Sequence, residues 1–185
     1  MEIVLVAPEI PHNTGCAARL AAALGLRLHL VEPLGFSLDD HYLKRAGLDY
    51  WPLVDLVVHS GLESARGSLS RGASRSFGER ARLFTARGGT SLFDVDFAPD
   101  DVLVFGSESR GLPAELLREG ADRRVYVPIR AAVRSLNLAN VVCLSVYTAM
   151  ARAGVPFPEN DGRYEPHPLA AADVRPASRV VRTDA

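Results

Sequence analysis

A chain of 185 residues suits one domain with a sizeable core, since domains usually run to about 100–200 residues. Hydrophobic residues at 48% with 23% charged fit a soluble globular protein, and no run approaches the roughly 18 apolar residues of a membrane span. A formal net charge of −1 excludes any global attraction for nucleic acid, so an RNA contact must rest on local patches.

Glu2 to Val6 reads as a buried first strand. Pro8 and Pro11 then force an extended connection before Asn13, a good N-cap for a helix running to about Leu24 with Gly25 as its stop. Ala17, Ala18, Ala21 and Ala22 give that helix a smooth surface that another helix can approach; Arg19 is its one charged side chain. The alternation of Leu26, Leu28 and Leu30 marks a second strand over Arg27 to Val31. Ser37 with Asp40 opens a short helix to Ala46 that Gly47 stops, and Leu53 to Val58 is a third strand. Residues 61–80 hold a short helix and a loop in which Arg66, Arg71, Arg75 and Arg80 recur with little acidic relief. Of the basic runs this is the best candidate for an RNA-backbone contact, with a solvated loop as the alternative.

Arg82 to Thr85 is a fourth short strand leading into a flexible turn at Arg87-Gly88-Gly89, and Asp94 to Asp101, acidic and broken by Pro99, is expected to be a surface loop. Val102 to Phe105 ends in Gly106, followed by a polar turn with Glu108 and Arg110; after Gly111, Pro113 opens a helix ending near Arg118. The two glycines suit a close backbone approach to a ligand or a positive φ, and equally plain turn punctuation. The sixth strand, Arg124 to Val127, stops at Pro128. The polar loop that follows runs into a helix over Asn137 to about Ala153, capped by Asn137 or Ser135. Such a junction offers unpaired N–H groups and a positive dipole end to a carboxylate, a phosphate or a cofactor's polar tail, or is an ordinary strand-to-helix connection.

Val141, Val142, Leu144, Val146, Tyr147 and Met150 make that helix apolar on more than one face, so it must be buried in this core or against a second subunit. From Val155 the chain is Pro-rich, and a weakly ordered tail over 155–185 is expected after a single domain over 1–154. Six strands alternating with helices predict an α/β fold with a mostly parallel sheet flanked by helices. Cys16 and Cys143, inside predicted helices and without ligand spacing, read as buried small residues in a reducing compartment. The five histidines form no metal constellation, and a cytoplasmic location is expected.

Three stretches, Ala7 to Gly25, Asp101 to Pro113 and Arg124 to Gly154, together resemble the SPOUT class of RNA methyltransferases, and within it the branch that methylates the wobble-nucleotide ribose of transfer RNA. The match is carried by Pro8-Glu9-Ile10-Pro11, Asn13-Thr14-Gly15, Arg19, Glu32-Pro33-Leu34-Gly35-Phe36 and Arg45-Ala46-Gly47-Leu48-Asp49-Tyr50. It continues in Phe105-Gly106-Ser107-Glu108, Arg110-Gly111-Leu112-Pro113, Arg134-Ser135-Leu136-Asn137-Leu138, Asn140 and Tyr147. The resemblance implies a C-terminal trefoil knot and S-adenosyl-L-methionine, leaving as S-adenosyl-L-homocysteine, bent among the loops after Thr85, around Gly106 to Gly111 and from Val127 to Leu136. By that inference Ala86, Gly106, Glu108, Gly111, Val127, Ile129, Ser135 and Leu136 bind the cofactor. Arg19, Ser135 and Asn140 are catalytic, and Asn13, Arg19, Arg110 and Tyr147 meet the RNA.

It further implies tRNA as partner, a homodimer through the first and last helices, and no metal or membrane. Alternatives within reach are action on another tRNA position or on ribosomal RNA, and a knotted module that binds RNA or nucleotide without catalysis. Two departures stand out: Cys16-Ala17-Ala18 where relatives carry larger residues, and Thr148 where they place Glu.

Overall fold

The computed structural model describes residues 1–38, 48–160, 162–163 and 181–183. The helix expected from Ser37 to Ala46, the Arg45-Ala46-Gly47 part of its motif and most of the Pro-rich tail lie outside them. Strands β1 (Glu2–Val6), β2 (Arg27–Val31), β3 (Asp55–His59), β4 (Ala81–Thr85), β5 (Thr90–Ser91), β6 (Val102–Phe105), β7 (Arg124–Tyr126) and β8 (Val181–Thr183) form one sheet in the order β5-β7-β4-β6-β1-β2-β3-β8. Every pairing is parallel, from Glu2 opposite Arg27 and Val102 in the centre to Val57 opposite Val181 at one edge. The two strands beyond the expected six are both at edges. Two or three residues long, they are too short for an alternation to be visible in sequence.

Helices α1 (Pro11–Leu24), α2 (Leu62–Ser70), α3 (Phe77–Arg80), α4 (Ala114–Glu119) and α5 (Leu138–Arg152) cover the two faces. Side chains alternate across the pleat. Ile3, Leu5, Leu28, Leu30, Leu103 and Phe105 therefore pack with Ala17, Ala18 and Ala21 of α1 and Val142, Val146 and Met150 of α5. Val4, Val6, Val104 and Leu83 face the other way, onto Ala65, Leu69, Phe77 and Leu116. Each such side chain, fully withdrawn from water, contributes about 1.5–3 kcal/mol. The alanine surface of α1 lets α5 lie close beside it on the first face.

Several local expectations change. Helix α1 starts at Pro11, with Ile10 in the cap position and no side-chain cap, because Asn13 is already inside the first turn with its amide turned elsewhere. Gly25 does stop it, at φ 65°. Asn137, not Ser135, caps α5 by accepting from the N–H groups of Ala139 and Asn140. Ser76 and Glu79 form a capping box that opens α3. The 94–101 segment is no surface loop throughout: Val95 and Phe97 are buried in the main core, and Asp101 is completely enclosed. Cys143 is exposed and Cys16 half-buried. Helix α5 buries Val142, Val146 and Met150 in this chain's core and carries Leu144 and Tyr147 exposed, so this core covers only part of its apolar surface.

The arginine run over 66–80 also reads differently once folded. Arg66 pairs with Glu63 and Glu119, Arg75 with Asp100 and Asp101, and Arg80 is buried between Glu2 and Asp100. Apart from Glu63 in the same helix, the acidic partners come from other elements, which removes most of this run as an RNA contact.

Candidate active site

In an all-parallel sheet the loops after every strand emerge at one end, and ligands gather where the strand order reverses. Here the chain steps outward from β1 to β2 and β3 on one side, and β6, β4 and β7 lie on the other. At the carboxyl ends of β1, β4, β6 and β7 lies a cavity of about 510 Å³, within the range of small-molecule sites. Phe84, next to last in β4, and Phe105, the last residue of β6, are buried and line it with their ring centroids stacked 4.4 Å apart.

The β6–α4 turn is built for close approach. Ser107 and Gly111 exchange backbone hydrogen bonds of 3.2 and 2.9 Å, and Gly111 takes φ 71°. A Cβ on Gly106 would stand 2.0 Å from the Gly111 carbonyl carbon, so only glycine lets this turn close. Arg87, expected in a flexible turn, instead donates to the carbonyls of Ala131 and Val133 and ties the β4 loop to the β7–α5 loop.

Glu108 and Asn13 bind the walls together. The Glu108 carboxylate accepts from the Glu9 N–H at 2.8 Å, the Ile10 N–H at 3.2 Å and Asn13 Nδ2 at 2.8 Å. Asn13 Oδ1 accepts in turn from Asn137 Nδ2 at 3.0 Å, and Asn137 caps α5. A reciprocal clasp runs from Ser109, whose N–H and hydroxyl donate to the Glu9 carboxylate at 3.1 and 2.6 Å. Three separated segments are thus held by carboxylates and amides whose capacity is used internally. Glu108 serves as a clasp, and Asn13 is buried with both ends of its amide engaged.

All eight residues expected at the cofactor, Ala86, Gly106, Glu108, Gly111, Val127, Ile129, Ser135 and Leu136, line this one cavity. So do Asn13 and Arg110 of the expected RNA set. Arg19, Asn140 and Tyr147 are exposed on α1 and α5 and do not line it. Sequence reading missed the apolar walls, Phe84, Phe105, Leu117 and Val141, although the end residue of a strand that feeds a ligand loop is a natural place to look. The pairing of Glu9 with Ser109 left no such signal. A flat apolar floor, a glycine turn flush with the wall and a loop rich in exposed main-chain groups fit a nucleoside carrying a polar tail.

Comparison with known proteins agrees with this geometry. A tRNA (cytidine(34)-2′-O)-methyltransferase of Burkholderia ambifaria is 46% identical over 82% of this chain and 95% of its own. A solved structure reported as giving structural insights into the 2-OH methylation of C/U34 on tRNA is 47% identical, with a TM-score of 0.75 over 83% of this chain and 95% of that one. An AdoMet-bound rRNA methyltransferase from Sinorhizobium meliloti, 23% identical, shares the fold at a TM-score of 0.66 over 81% of this chain and 55% of that one. The model of the SpoU rRNA methylase family matches residues 1–147. With the cavity at the carboxyl ends of its strands and this match over most of its length, the chain belongs to the SpoU methylase family.

Proposed function

We propose that this protein is an S-adenosylmethionine-dependent methyltransferase that modifies the ribose 2′-hydroxyl of the wobble nucleotide, cytidine or modified uridine, of transfer RNA. The observation that carries the reading is the convergence of three separated loops, with all eight expected cofactor residues, on one cavity. When bound, S-adenosylmethionine supplies a methyl already activated on a cationic sulfur, whose departure as a neutral thioether needs no metal. The chain's own task is to hold and orient. Main-chain groups of the 106–111 and 127–136 loops would hold the nucleoside between the apolar walls, with Ser135 on the cavity lining and Asn140 on α5 as the residues that would serve the methionine end. Positioning of two reactants in this way is worth at most about 7–11 kcal/mol.

Arg19 presents a planar guanidinium with N–H donors and no acceptor. Its part is to orient the ribose and a neighbouring phosphate with its planar fork. Because Arg19 lies off the lining of its own chain's cavity, that role calls for a second copy whose α1 faces the site. Exposed Leu144 and Tyr147 on α5, the latter stacked on Phe157 at 5.6 Å, provide an apolar surface for such a homodimer through α1 and α5. The knotted threading of the chain after β7 and a cytoplasmic location belong to the same proposal. Among the described residues no helix is long and apolar enough to cross a membrane.

The test is incubation of the purified protein with labelled S-adenosylmethionine and total tRNA, followed by mapping of the modified ribose. Label on the wobble ribose is the expected result, and label confined to another tRNA position or absent altogether overturns it. Sedimentation together with mixing of two inactive variants, Arg19→Ala and Ser135→Ala, tests the shared site: mixed dimers should regain partial activity. Failure of the mixture, with each variant folded and dimeric, removes the second copy's Arg19 from the reaction.

A further inference from the structure

We infer that Arg87, Arg110, Arg130 and Arg134 form a cationic rim that seats the phosphodiester backbone of RNA across the mouth of the cavity; this deepens the function proposed above and rests on it. All four stand on loops that leave the carboxyl ends of β4, β6 and β7, and the parallel sheet puts those loops at one end. Arg110 and Arg134 line the cavity itself. Among the described residues no carboxylate forms an ion pair with any of the four. Arg87 donates only to neutral carbonyls, so it keeps its charge while fixing the loop that carries Arg130 and Arg134. Glu108, the one carboxylate on the lining, is covered by three donors from the β1–α1 segment.

The result is local positive charge on a protein whose net charge is −1. Surface arginines without acidic partners among the described residues suit phosphate, which they bind through paired N–H groups. Val133 and Leu136 alternate with Arg130 and Arg134 along the loop and are about 40% exposed. They offer the unstacked bases of an RNA loop apolar surface beside the phosphate contacts.

The experiment titrates a fluorescent anticodon stem–loop RNA against the full chain by anisotropy between about 50 and 200 mM salt. Arg110→Gln, Arg130→Gln and Arg134→Gln should each weaken binding about three- to tenfold at low salt and flatten the salt slope by roughly 0.7–1. Arg71→Gln, an exposed arginine between α2 and α3, should change neither. Arg130→Gln, which does not line the cavity, should hold S-adenosylmethionine with wild-type affinity by calorimetry, and Arg130→Glu should weaken RNA further than Gln. If the rim variants keep wild-type affinity and slope while the wild type methylates RNA, the rim is wrong and the function stands. If the wild type transfers methyl to no RNA, the function falls and the rim with it.

Discussion

The two ends of the sheet use arginine in opposite ways. At the amino ends of the strands four arginines meet carboxylates: Arg27 with Asp55, Arg80 with Glu2, Arg82 with Asp101, and Arg75 with Asp100 and Asp101. Asp101, fully enclosed, accepts from Arg82 Nε at 2.7 Å, Arg75 Nη2 at 3.3 Å and the Ala98 N–H at 3.0 Å. Around the cavity at the carboxyl ends, Arg87, Arg110, Arg130 and Arg134 have no acidic partner among the described residues, and Glu9 and Glu108 are spent on N–H and hydroxyl donors. One end is therefore self-neutralised scaffold and the other keeps charge for a ligand. Residue type does not distinguish them, because the difference lies in what each folded neighbourhood supplies.

The largest expected effect comes from breaking the scaffold end. Asp101→Ala leaves Arg82 and Arg75 without their buried partner and should cost about 3–5 kcal/mol, lowering Tm by roughly 10 °C. Cofactor affinity of the folded fraction should be unchanged, measured by calorimetry below the transition. A variant of wild-type stability would show that this cluster is not structural. At the other end, Gly106→Val drives a side chain into the Gly111–Leu112 backbone. S-adenosylmethionine binding should fall at least about 100-fold, near 3 kcal/mol, with a smaller loss of stability. Retained binding would remove this turn from the site.

Acid should separate the two ends further. Burial alone would raise the Glu2 carboxyl, but hydrogen bonds from His29 and Arg80 outweigh it and hold it down to about 2. Burial, with His29 beside it at 2.8 Å, pushes His59 down to about 4. Both folded-state values lie below the ordinary ones of 4.5 and 6.5. The unfolded chain therefore binds more protons, and stability is full above about pH 6.5 and lost as pH falls, first through His59 and then through Glu2. Urea unfolding at about pH 7 and 5 should show the midpoint dropping, and His59→Gln should flatten that drop. A midpoint independent of pH over this window would contradict the assignment.

The smallest effect sharpens the site itself. Asn13→Ala removes the link between Glu108 and the α5 cap and should cost about 1–3 kcal/mol of stability. It should also weaken cofactor binding several-fold while sparing the melting of the amino-end cluster. An unchanged cofactor affinity would mean the loops hold their positions without this bridge.

Much of this was legible in the chain. Alternation in Ile3-Val4-Leu5 and Leu28-His29-Leu30 marks strands because a pleat sends neighbours to opposite faces, and Gly25 and Asn137 mark helix ends because αL backbone and free N–H groups favour those residues. The resemblance, spread over turns, also picked out the eight residues that share the cavity. Asn13 was misread as a cap because its residue type favours that role locally. Its actual partners, Glu108 and Asn137, lie 95 and 124 residues away.

The amino-acid sequence by itself determined the periodicities, the turns and the family, since each is a property of residues near one another along the chain. Tertiary structure alone decided which arginines are neutralised and which have no carboxylate partner among the described residues, which carboxylates act as clasps, and that the loops after β1, β4, β6 and β7 close on one space. Electrostatic pairing and cavity shape depend on distances in space, and the parallel sheet sets those distances by bringing together segments about a hundred residues apart.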